Sequence, residues 1–270
     1  MTTKDEYVIR GGVAGRERLR ILARVLHAGT TALFDRLGVG AGLRCLDAGC
    51  GGGDVTLELA RRVGRHGQVI GVDLDPTKLN LAQQEAVGQG FTNVEFRPLD
   101  LRSEEVGTGF DLVYARFLLT HLAEPAAAIA MFSRALRPGG LLIVEDVDFK
   151  GHFSWPETAA FRRYCELYYA VACSRGGDPD IGPRLPILLA DGGFAQLGMH
   201  VVQPVATEGD PKLINPITLE NIADVIVQDG LATRQEVDTL IHDLYAFAAD
   251  PRTVASIARV IQAWGRKPEV

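Results

Sequence analysis

The residues best suited to chemistry follow apolar runs, at the points where strands would end. Asp47 closes the run "RCLD" and shortly precedes the glycine-rich stretch "GCGGGD" at 49–54. Asp73, Asp100 and Arg116 close the later runs "QVIGVD", "VEFRPLD" and "FDLVYAR". Carboxylates accept hydrogen bonds from hydroxyls and amines, and glycine lets backbone approach a ligand closely. This spacing predicts one ligand site assembled from separate stretches of the chain.

The glycine-rich stretch has the wrong charge for a phosphate. In the dinucleotide fingerprint G-x-G-x-x-G, pyrophosphate rests on the helix N-terminus that follows the loop. Here Asp54 stands in place of the last glycine, and Asp47 stands just before the loop. One like-charge contact at ~4 Å costs about 4 kcal/mol at an effective dielectric of ~20. The pattern therefore disfavours a nicotinamide oxidoreductase and predicts a ligand with positive charge and no phosphate.

The later acids refine the ligand. Asp73 lies at the end of the second strand, where an acid accepts hydrogen bonds from a ribose diol. Asp100 is placed to accept from an exocyclic amine such as that of adenine, and Leu74 and Leu101 offer apolar faces to the base. A ribose, an adenine and a cationic tail without phosphate together describe S-adenosylmethionine.

The elements that must position these residues alternate between strand and helix. Short apolar strands followed by helices of 10–15 residues predict an α/β fold, with a doubly wound parallel sheet and helices on both faces. Right-handed crossovers place all the strand ends at one edge. The predicted divisions are an N-terminal helical lid (1–40), a cofactor-binding core (41–149), a helical cap insertion (150–180), a core continuation (181–206), a second helical insertion (207–252) and a final strand (253–270).

The order of motifs "LDAGCGGGD", "VIGVDLDP", "FRPLDL", "FDLVYARFLLTHL" and "LRPGGLLIVED" resembles the class I S-adenosylmethionine-dependent methyltransferases over roughly residues 40–150. The resemblance implies a Rossmann-like seven-stranded sheet whose last strand is antiparallel and lies between the fifth and sixth. It also implies that the glycine loop holds the methionine moiety, that the Arg116–Phe117 backbone holds its amine, and that Tyr7 reaches its carboxylate. The implied cofactor-binding set is Tyr7, Asp47, Gly49, Cys50, Gly51, Gly53, Asp73, Leu74, Asp100, Leu101, Arg116 and Phe117.

Candidates for the acceptor side follow the fourth and fifth strands. His121 is interpreted either as a general base or hydrogen-bonding group for the acceptor, or as a helix residue bonded to nearby backbone. Asp146 is the second catalytic candidate. With Glu145 and Asp148 it would orient the acceptor or bind a metal, or else face solvent, and no metal site is predicted. His152 is a further candidate.

Residues 149–169 contain seven aromatic side chains. At helical spacing such a stripe is typical of core packing, but part of it would equally line an apolar acceptor pocket. Both interpretations stay open. The aromatic residues are Phe149, Phe153, Trp155, Phe161, Tyr164, Tyr168 and Tyr169.

The composition of the chain limits the classes of molecule that it is expected to bind. The chain of 270 residues has 28 basic and 34 acidic side chains, a net charge of −6 and no basic block, which disfavours nucleic acid. The N-terminus has no apolar signal-like region, and the sequence has no membrane-length apolar run, which predicts a cytoplasmic protein. The four cysteines are predicted to be buried thiols. The sequence predicts a monomeric or homodimeric methyltransferase for a small, apolar or aromatic molecule; the alternatives are an S-adenosylmethionine-binding protein with other chemistry and a protein or tRNA methyltransferase.

Overall fold

The computed structural model describes residues 12–269, which form ten β-strands and eight α-helices. The strands are β1 Arg44–Ala48, β2 Gln68–Asp73, β3 Val94–Pro98, β4 Phe110–Arg116, β5 Leu136–Asp148, β6 Ser154–Trp155, β7 Ala195–Val202, β8 Val205–Ala206, β9 Val254–Ser256 and β10 Arg259–Arg266. The helices are α1 Gly12–Leu37, α2 Asp54–Val63, α3 Pro76–Gly88, α4 Pro125–Ala135, α5 Ala159–Ser174, α6 Leu185–Asp191, α7 Asp210–Gln228 and α8 Arg234–Ala249.

Seven strands form one sheet in the order β3-β2-β1-β4-β5-β10-β7. The pairs β3-β2, β2-β1, β1-β4 and β4-β5 are parallel, whereas β10 is antiparallel to both β5 and β7. The predicted sheet, with its antiparallel strand between two parallel ones, is confirmed. The strand order reverses between β1 and β4, which is where ligands bind in open α/β sheets.

Alternating side chains of the central strands bury both faces of the sheet. On β4, Leu112 and Tyr114 pack with α2 and the end of α1, while Val113 and Ala115 pack with α4 and α6. This alternation is the two-residue period of a strand. The sheet therefore has helices on both faces, as predicted, and these helices leave its carboxyl edge to other elements of the chain.

A second apolar core covers that edge. Helices α5, α7 and α8 pack together with the end of β5, and Tyr164, Leu219 and Leu240 lie in this shared core. Helix α1 joins the cap through contacts of Leu22 and Leu26 with Ile214 of α7. The three helices α5, α7 and α8 form the cap.

The segment after residue 252 differs from the single strand predicted there. It contains two strands, because Ile257 leaves the strand path and its backbone N–H donates to the carbonyl of Pro204, at 3.1 Å. Strand β9 pairs with β6 and β8 in a small antiparallel sheet, and only β10 enters the main sheet.

The prediction of four buried cysteines was wrong in part. Cys45 is buried, Cys50 and Cys165 are partly exposed, and Cys173 is exposed; all four are free thiols. Separately, none of the helices between residues 12 and 269 has the combined length and hydropathy of a bilayer-spanning segment.

Candidate active site

A cavity of about 1900 Å³ opens at the carboxyl edge of the sheet, beneath α1 and the cap. Its wall includes most of the predicted cofactor-binding residues together with His121, His152 and cap residues of α5 and α7. Sites for one drug-sized ligand usually measure roughly 300–1,000 Å³. This cavity therefore has room for a cofactor and a second molecule side by side.

The glycine loop forms one end of the cavity. Gly49, Gly51 and Gly53 adopt left-handed φ angles of 70°, 55° and 79°, a region that side-chain-bearing residues rarely occupy. Cys50 ties the loop to β2, because its N–H donates to the carbonyl of Val72 at 2.9 Å. Gly49, Cys50 and Gly51 line the cavity.

Gly53 has a different place from the one that the resemblance implied. It is not among the lining residues, and a Cβ there would lie 2.8 Å from Phe96 and 2.9 Å from Ala82. It is the N-cap of α2. Gly53 thus lets α2 begin close to β3 and α3, on the side of the loop that faces away from the cavity.

Asp47 lies beneath the loop with only 2% of its surface exposed. Burial raises its pKa to about 6, although the Thr56 hydroxyl and the charge of Arg116 lower it. The Thr56 hydroxyl donates to Asp47 Oδ2 at 2.6 Å. A buried carboxylate with one hydrogen bond and a nearby cation is a site for another positive group and repels phosphate.

Asp73 organises the loop and faces the cavity. Its Oδ2 accepts from the N–H of Gly51 and its Oδ1 accepts from the N–H of Asp75, each at 2.9 Å. A carboxylate has about four lone-pair sites, so acceptor capacity remains for a ribose diol. Asp75 in turn caps α3 by accepting from the N–H groups of Thr77 and Lys78.

The predicted adenine end lies beside Asp73. Leu74, Asp100 and Leu101 all line the cavity, and Leu74 is 52% exposed. Asp100 is paired with Arg102, whose side-chain hydrogen bond lowers the pKa of Asp100. The carboxylate is therefore ionised and available to an amine donor, at the mouth of the cavity.

Arg116 and Phe117 form the floor where β4 ends. Phe117 has a left-handed φ of 52°, and its N–H donates to the carbonyl of Glu145 at 2.9 Å. Burial lowers the pKa of Arg116, but Tyr114, Glu145 and Asp47 outweigh it and raise the pKa overall. The strained turn at Phe117 is of the kind that clusters at functional sites.

Helix α1 is fastened over the loop by Arg16, which the sequence analysis did not single out. Its guanidinium contacts Asp54 at 2.9 Å and Glu85 at 2.6 Å. A Cβ on Gly52 would lie within 2.4–2.6 Å of the same side chain. Glycine at 52 lets the Arg16 side chain pass close to the loop, and the N-terminal lid stays a prediction. Tyr7 belongs to this predicted lid but lies outside the described residues.

His121 lines the cavity at the end of a short turn, Leu119–His121. Burial, with the positive charges of Arg18 and Lys78, lowers its pKa to about 4. The ring is neutral at physiological pH, so it presents a hydrogen-bonding group to the cavity. A base with so low a pKa takes up protons poorly at neutral pH.

Asp146 does not line the cavity, which corrects its place as a catalytic candidate. Its Oδ2 accepts from the N–H of Thr120 at 3.1 Å and its Oδ1 from the N–H of Val147 at 2.8 Å. Burial raises its pKa to about 7. Asp146 therefore holds the turn that carries His121.

The other two acids of β5 are also buried and partnered. Glu145 accepts from the Tyr114 hydroxyl at 2.8 Å and from Gln262 Nε2 at 3.0 Å. Asp148 pairs with Arg259. Neither faces solvent, and residues 12–269 contain no cluster of His, Cys, Asp and Glu able to hold a metal ion.

The aromatic stripe divides between the two interpretations. Phe149, Tyr164 and Tyr168 line the cavity, and Phe149 and Tyr168 are stacked with centroids 4.2 Å apart. Phe161 packs inside the cap core without lining the cavity. Tyr169 is partly buried against the same core, whereas Phe153 and Trp155 are exposed. The stripe therefore builds both the cap core and one wall of the cavity.

His152 lies against this wall, edge-on to Phe149 and Phe161 with centroids 5.1 Å away. Its Nε2 is 2.9 Å from the carbonyl of Ser256, to which it donates. Nδ1 is buried without a hydrogen-bond partner among the described residues. Burial lowers the pKa of His152 to about 4.

We expect His152→Phe to reduce the acid sensitivity of the fold. The folded protein keeps this ring neutral to about pH 4, whereas the unfolded chain takes up the proton near pH 6.5. Stability from this group is therefore complete above pH 6.5 and is lost as pH falls toward 4, by about 3 kcal/mol in total. Urea unfolding at pH 7.0 and 4.5 measures the difference. Equal losses of unfolding free energy in wild type and variant would contradict the assignment.

Comparison with known proteins identifies the family of the chain. A model of the methyltransferase domain matches residues 40–182, slightly more than half of the chain. A ubiquinone biosynthesis O-methyltransferase of Leptothrix cholodnii is 32% identical over 40% of this chain and 45% of the relative. The ubiquinone/menaquinone biosynthesis C-methyltransferase UbiE of Teredinibacter turnerae is 32% identical over 48% of this chain and 51% of the relative. The chain spans about half the length of these curated relatives.

One solved structure extends the likeness across the fold. Haemonchus contortus phosphoethanolamine N-methyltransferase 2, in complex with phosphomonomethylethanolamine and S-adenosylhomocysteine, is 20% identical with a TM-score of 0.53, covering 98% of this chain and 55% of that chain. The chain belongs to the methyltransferase domain family. Its sheet order and its acid-flanked glycine loop make it a member of the class I S-adenosylmethionine-dependent methyltransferases, the family that the sequence resembled, and S-adenosylmethionine is the cofactor.

Proposed function

We propose that this protein transfers a methyl group from S-adenosylmethionine to a small molecule with an apolar or aromatic body. The observation that carries the proposal is the single cavity that joins the glycine loop to the aromatic wall of Phe149 and Tyr168. Cofactor and acceptor would lie next to each other in this cavity, so the methyl group could be transferred directly from one to the other.

The described residues fit the cofactor. Asp47 and the loop of Gly49 and Gly51 would hold the methionine moiety, Asp73 the ribose and Asp100 the adenine amine. The acidic surroundings of the loop match a cofactor with a cationic sulfonium and an ammonium group, and they oppose a diphosphate. When bound, S-adenosylmethionine supplies an electrophilic methyl group and needs no acid to activate it.

The chain's own contribution is alignment and exclusion of water. Methyl transfer is an in-line displacement, so holding the acceptor atom close to the methyl group accounts for most of the rate gain. The aromatic wall and α1 cover the reacting centre, and the neutral ring of His121 would orient an acceptor hydroxyl or amine. With a pKa of about 4, His121 would position the acceptor and would not remove its proton.

The relatives carry names of O-, C- and N-methyltransferases, so their names indicate no single acceptor. The support for an acceptor class comes from the cavity. Stacked rings at one wall favour a flat apolar body over a small polar one. The net charge of −6 speaks against a nucleic acid partner. We infer a small-molecule acceptor, a cytoplasmic location, and a monomer or homodimer.

The test is calorimetric titration with S-adenosylmethionine and NADH, followed by detection of S-adenosylhomocysteine after incubation with aromatic acceptors. We expect S-adenosylmethionine to bind and NADH not to bind. We also expect S-adenosylhomocysteine to form only when an acceptor is present. Binding of NADH without S-adenosylmethionine would overturn the proposal. Cofactor binding without product, for any acceptor, would support the alternative of a protein that binds the cofactor for other chemistry.

We expect Tyr168→Leu to raise the KM of the best acceptor about tenfold while leaving the affinity for S-adenosylhomocysteine within twofold. The leucine fills the cap core but loses the ring that stacks on Phe149. Phe161→Leu is the matched control, because Phe161 is 5% exposed in the same core without lining the cavity. Equal KM values for the two variants would show that the ring at 168 serves only packing.

A further inference from the structure

Arg18 is a cation buried in the cavity wall. It lies on α1, lines the cavity and is 8% exposed. Its Nε donates to Thr218 Oγ1 of α7 at 3.1 Å. This bond fixes the guanidinium between α1 and α7. Its two terminal nitrogens are still able to donate hydrogen bonds.

Residues 12–269 provide no carboxylate within 4.0 Å of Arg18. Arg175 and Lys78, two other cations of the cavity wall, have carboxylate partners, since Arg175 pairs with Asp229 and Lys78 lies 3.7 Å from Asp75. Arg116 also has no carboxylate within 4.0 Å among the described residues, but the charges of Glu145, Asp47 and Asp54 act on it and raise its pKa. A buried guanidinium usually has an anionic partner, because an unpaired charge removed from water is strongly destabilising. The missing partner is therefore expected from a ligand.

The position of Arg18 selects the acceptor half of the cavity. Its charge acts on His121, Tyr164 and Tyr168, which belong to the aromatic side. The acids of the glycine loop, Asp47 and Asp54, are instead influenced by Arg116 and Arg16. An anion held by Arg18 would thus lie beside the aromatic wall, away from the loop.

We propose that Arg18 binds a carboxylate of the methyl acceptor, so that the substrate class is an apolar or aromatic acid. This inference rests on the proposed function. The planar guanidinium pairs with a carboxylate through two parallel hydrogen bonds. Burial keeps the pKa values of His121 and His152 at about 4, so both rings are neutral, and Lys78, which also acts on His121, lies near Asp75. One guanidinium beside the aromatic wall matches a monoanion better than a phosphate dianion.

The experiment compares acids with their methyl esters on protein saturated with S-adenosylhomocysteine. The probes are 4-hydroxybenzoate, 3-(4-hydroxyphenyl)propionate and 6-hydroxy-2-naphthoate, each titrated calorimetrically beside its ester. We expect wild type to bind at least one acid tenfold more tightly than its ester. Arg18→Gln should reduce that preference to within twofold, and Arg18→Lys should retain part of it.

Arg20→Gln is the matched control, because it removes one positive charge from the same helix. Arg20 is 47% exposed at its side chain, pairs with Glu85 and does not line the cavity. We expect this variant to keep the wild-type preference. Melting temperatures of all variants verify that they are folded, and the Kd for S-adenosylhomocysteine should change by less than threefold.

Two results would overturn the inference while leaving the proposed function standing. One is a wild type that prefers no acid, whether it binds acid and ester equally or binds neither. The other is a tenfold loss of S-adenosylhomocysteine affinity in Arg18→Gln with methylthioadenosine binding unchanged, since Arg18 would then hold the cofactor's own carboxylate. Failure of the proposed function is separate: wild type would then bind no S-adenosylhomocysteine.

Discussion

Gly51→Val is expected to weaken binding of S-adenosylhomocysteine at least 100-fold. Gly51 has a φ of 55°, and a Cβ there would lie 2.9 Å from Leu19 Cδ1 of α1. The left-handed region costs an ordinary L-residue about 1–2 kcal/mol and is still less accessible to a β-branched one. The valine would therefore displace the loop, push α1 outward and place its methyl groups at the wall where the methionine moiety would lie.

Gly38→Val separates this effect from general backbone strain. Gly38 has a φ of 70°, and nothing lies within 4 Å of a Cβ there. It is also absent from the cavity wall. Both variants should lose stability in thermal melting, but only Gly51→Val should lose affinity in calorimetric titration. An affinity within fivefold of wild type in Gly51→Val would contradict the placement of the methionine moiety.

The main sheet and the grouping of the loop and the strand-end acids around one cavity could be predicted because their signals are local. Asp75 before Pro76 predicts a helix start, and Asp75 does accept from the N–H groups of Thr77 and Lys78. Thr233 likewise caps α8 by accepting from the N–H of Glu236. Asp47, the end of β1 and the glycine loop lie within a few residues of each other, so the local sequence pattern is enough to predict their arrangement.

The parts that could not be predicted depend on partners far along the chain. Arg18 bonds Thr218 across 200 residues, and nothing near Arg18 in the sequence indicates this contact. The acids of β5 had three open interpretations, because their partners come from β4, from β10 and from the turn before α4. The break between β9 and β10 depends on the carbonyl of Pro204. Local sequence patterns do not indicate such contacts between residues that are far apart in the chain.

In the proposed arrangement, the two halves of the cavity differ in charge. Asp47, Asp73 and Asp100 would lie around the cofactor, with Arg116 near Asp47, whereas the neutral ring of His121 and the cation of Arg18 would lie beside the acceptor. A cationic cofactor is thus attracted to one end and an anionic acceptor to the other. The electrostatics therefore favour one relative orientation of the two molecules, with the methyl group facing the aromatic wall.

Asp73→Ala is expected to weaken S-adenosylhomocysteine binding at least 100-fold, because it removes both the proposed ribose acceptor and the anchor of Gly51. Loss of the two backbone hydrogen bonds should also cost about 1–3 kcal/mol of unfolding free energy. Asp73→Asn retains one acceptor oxygen and should fall between wild type and alanine. Calorimetric titration and urea unfolding measure the two effects separately.

The 2′-deoxy analogue of S-adenosylhomocysteine distinguishes the two roles of Asp73. If the carboxylate holds the ribose diol, wild type should bind the analogue at least tenfold more weakly, whereas Asp73→Ala should bind both ligands equally. Such non-additivity is the signature of a direct contact. If removal of the hydroxyl weakened binding by the same factor in both proteins, Asp73 would act only through the loop. The ribose assignment would then be wrong, although the loop would still require the acid.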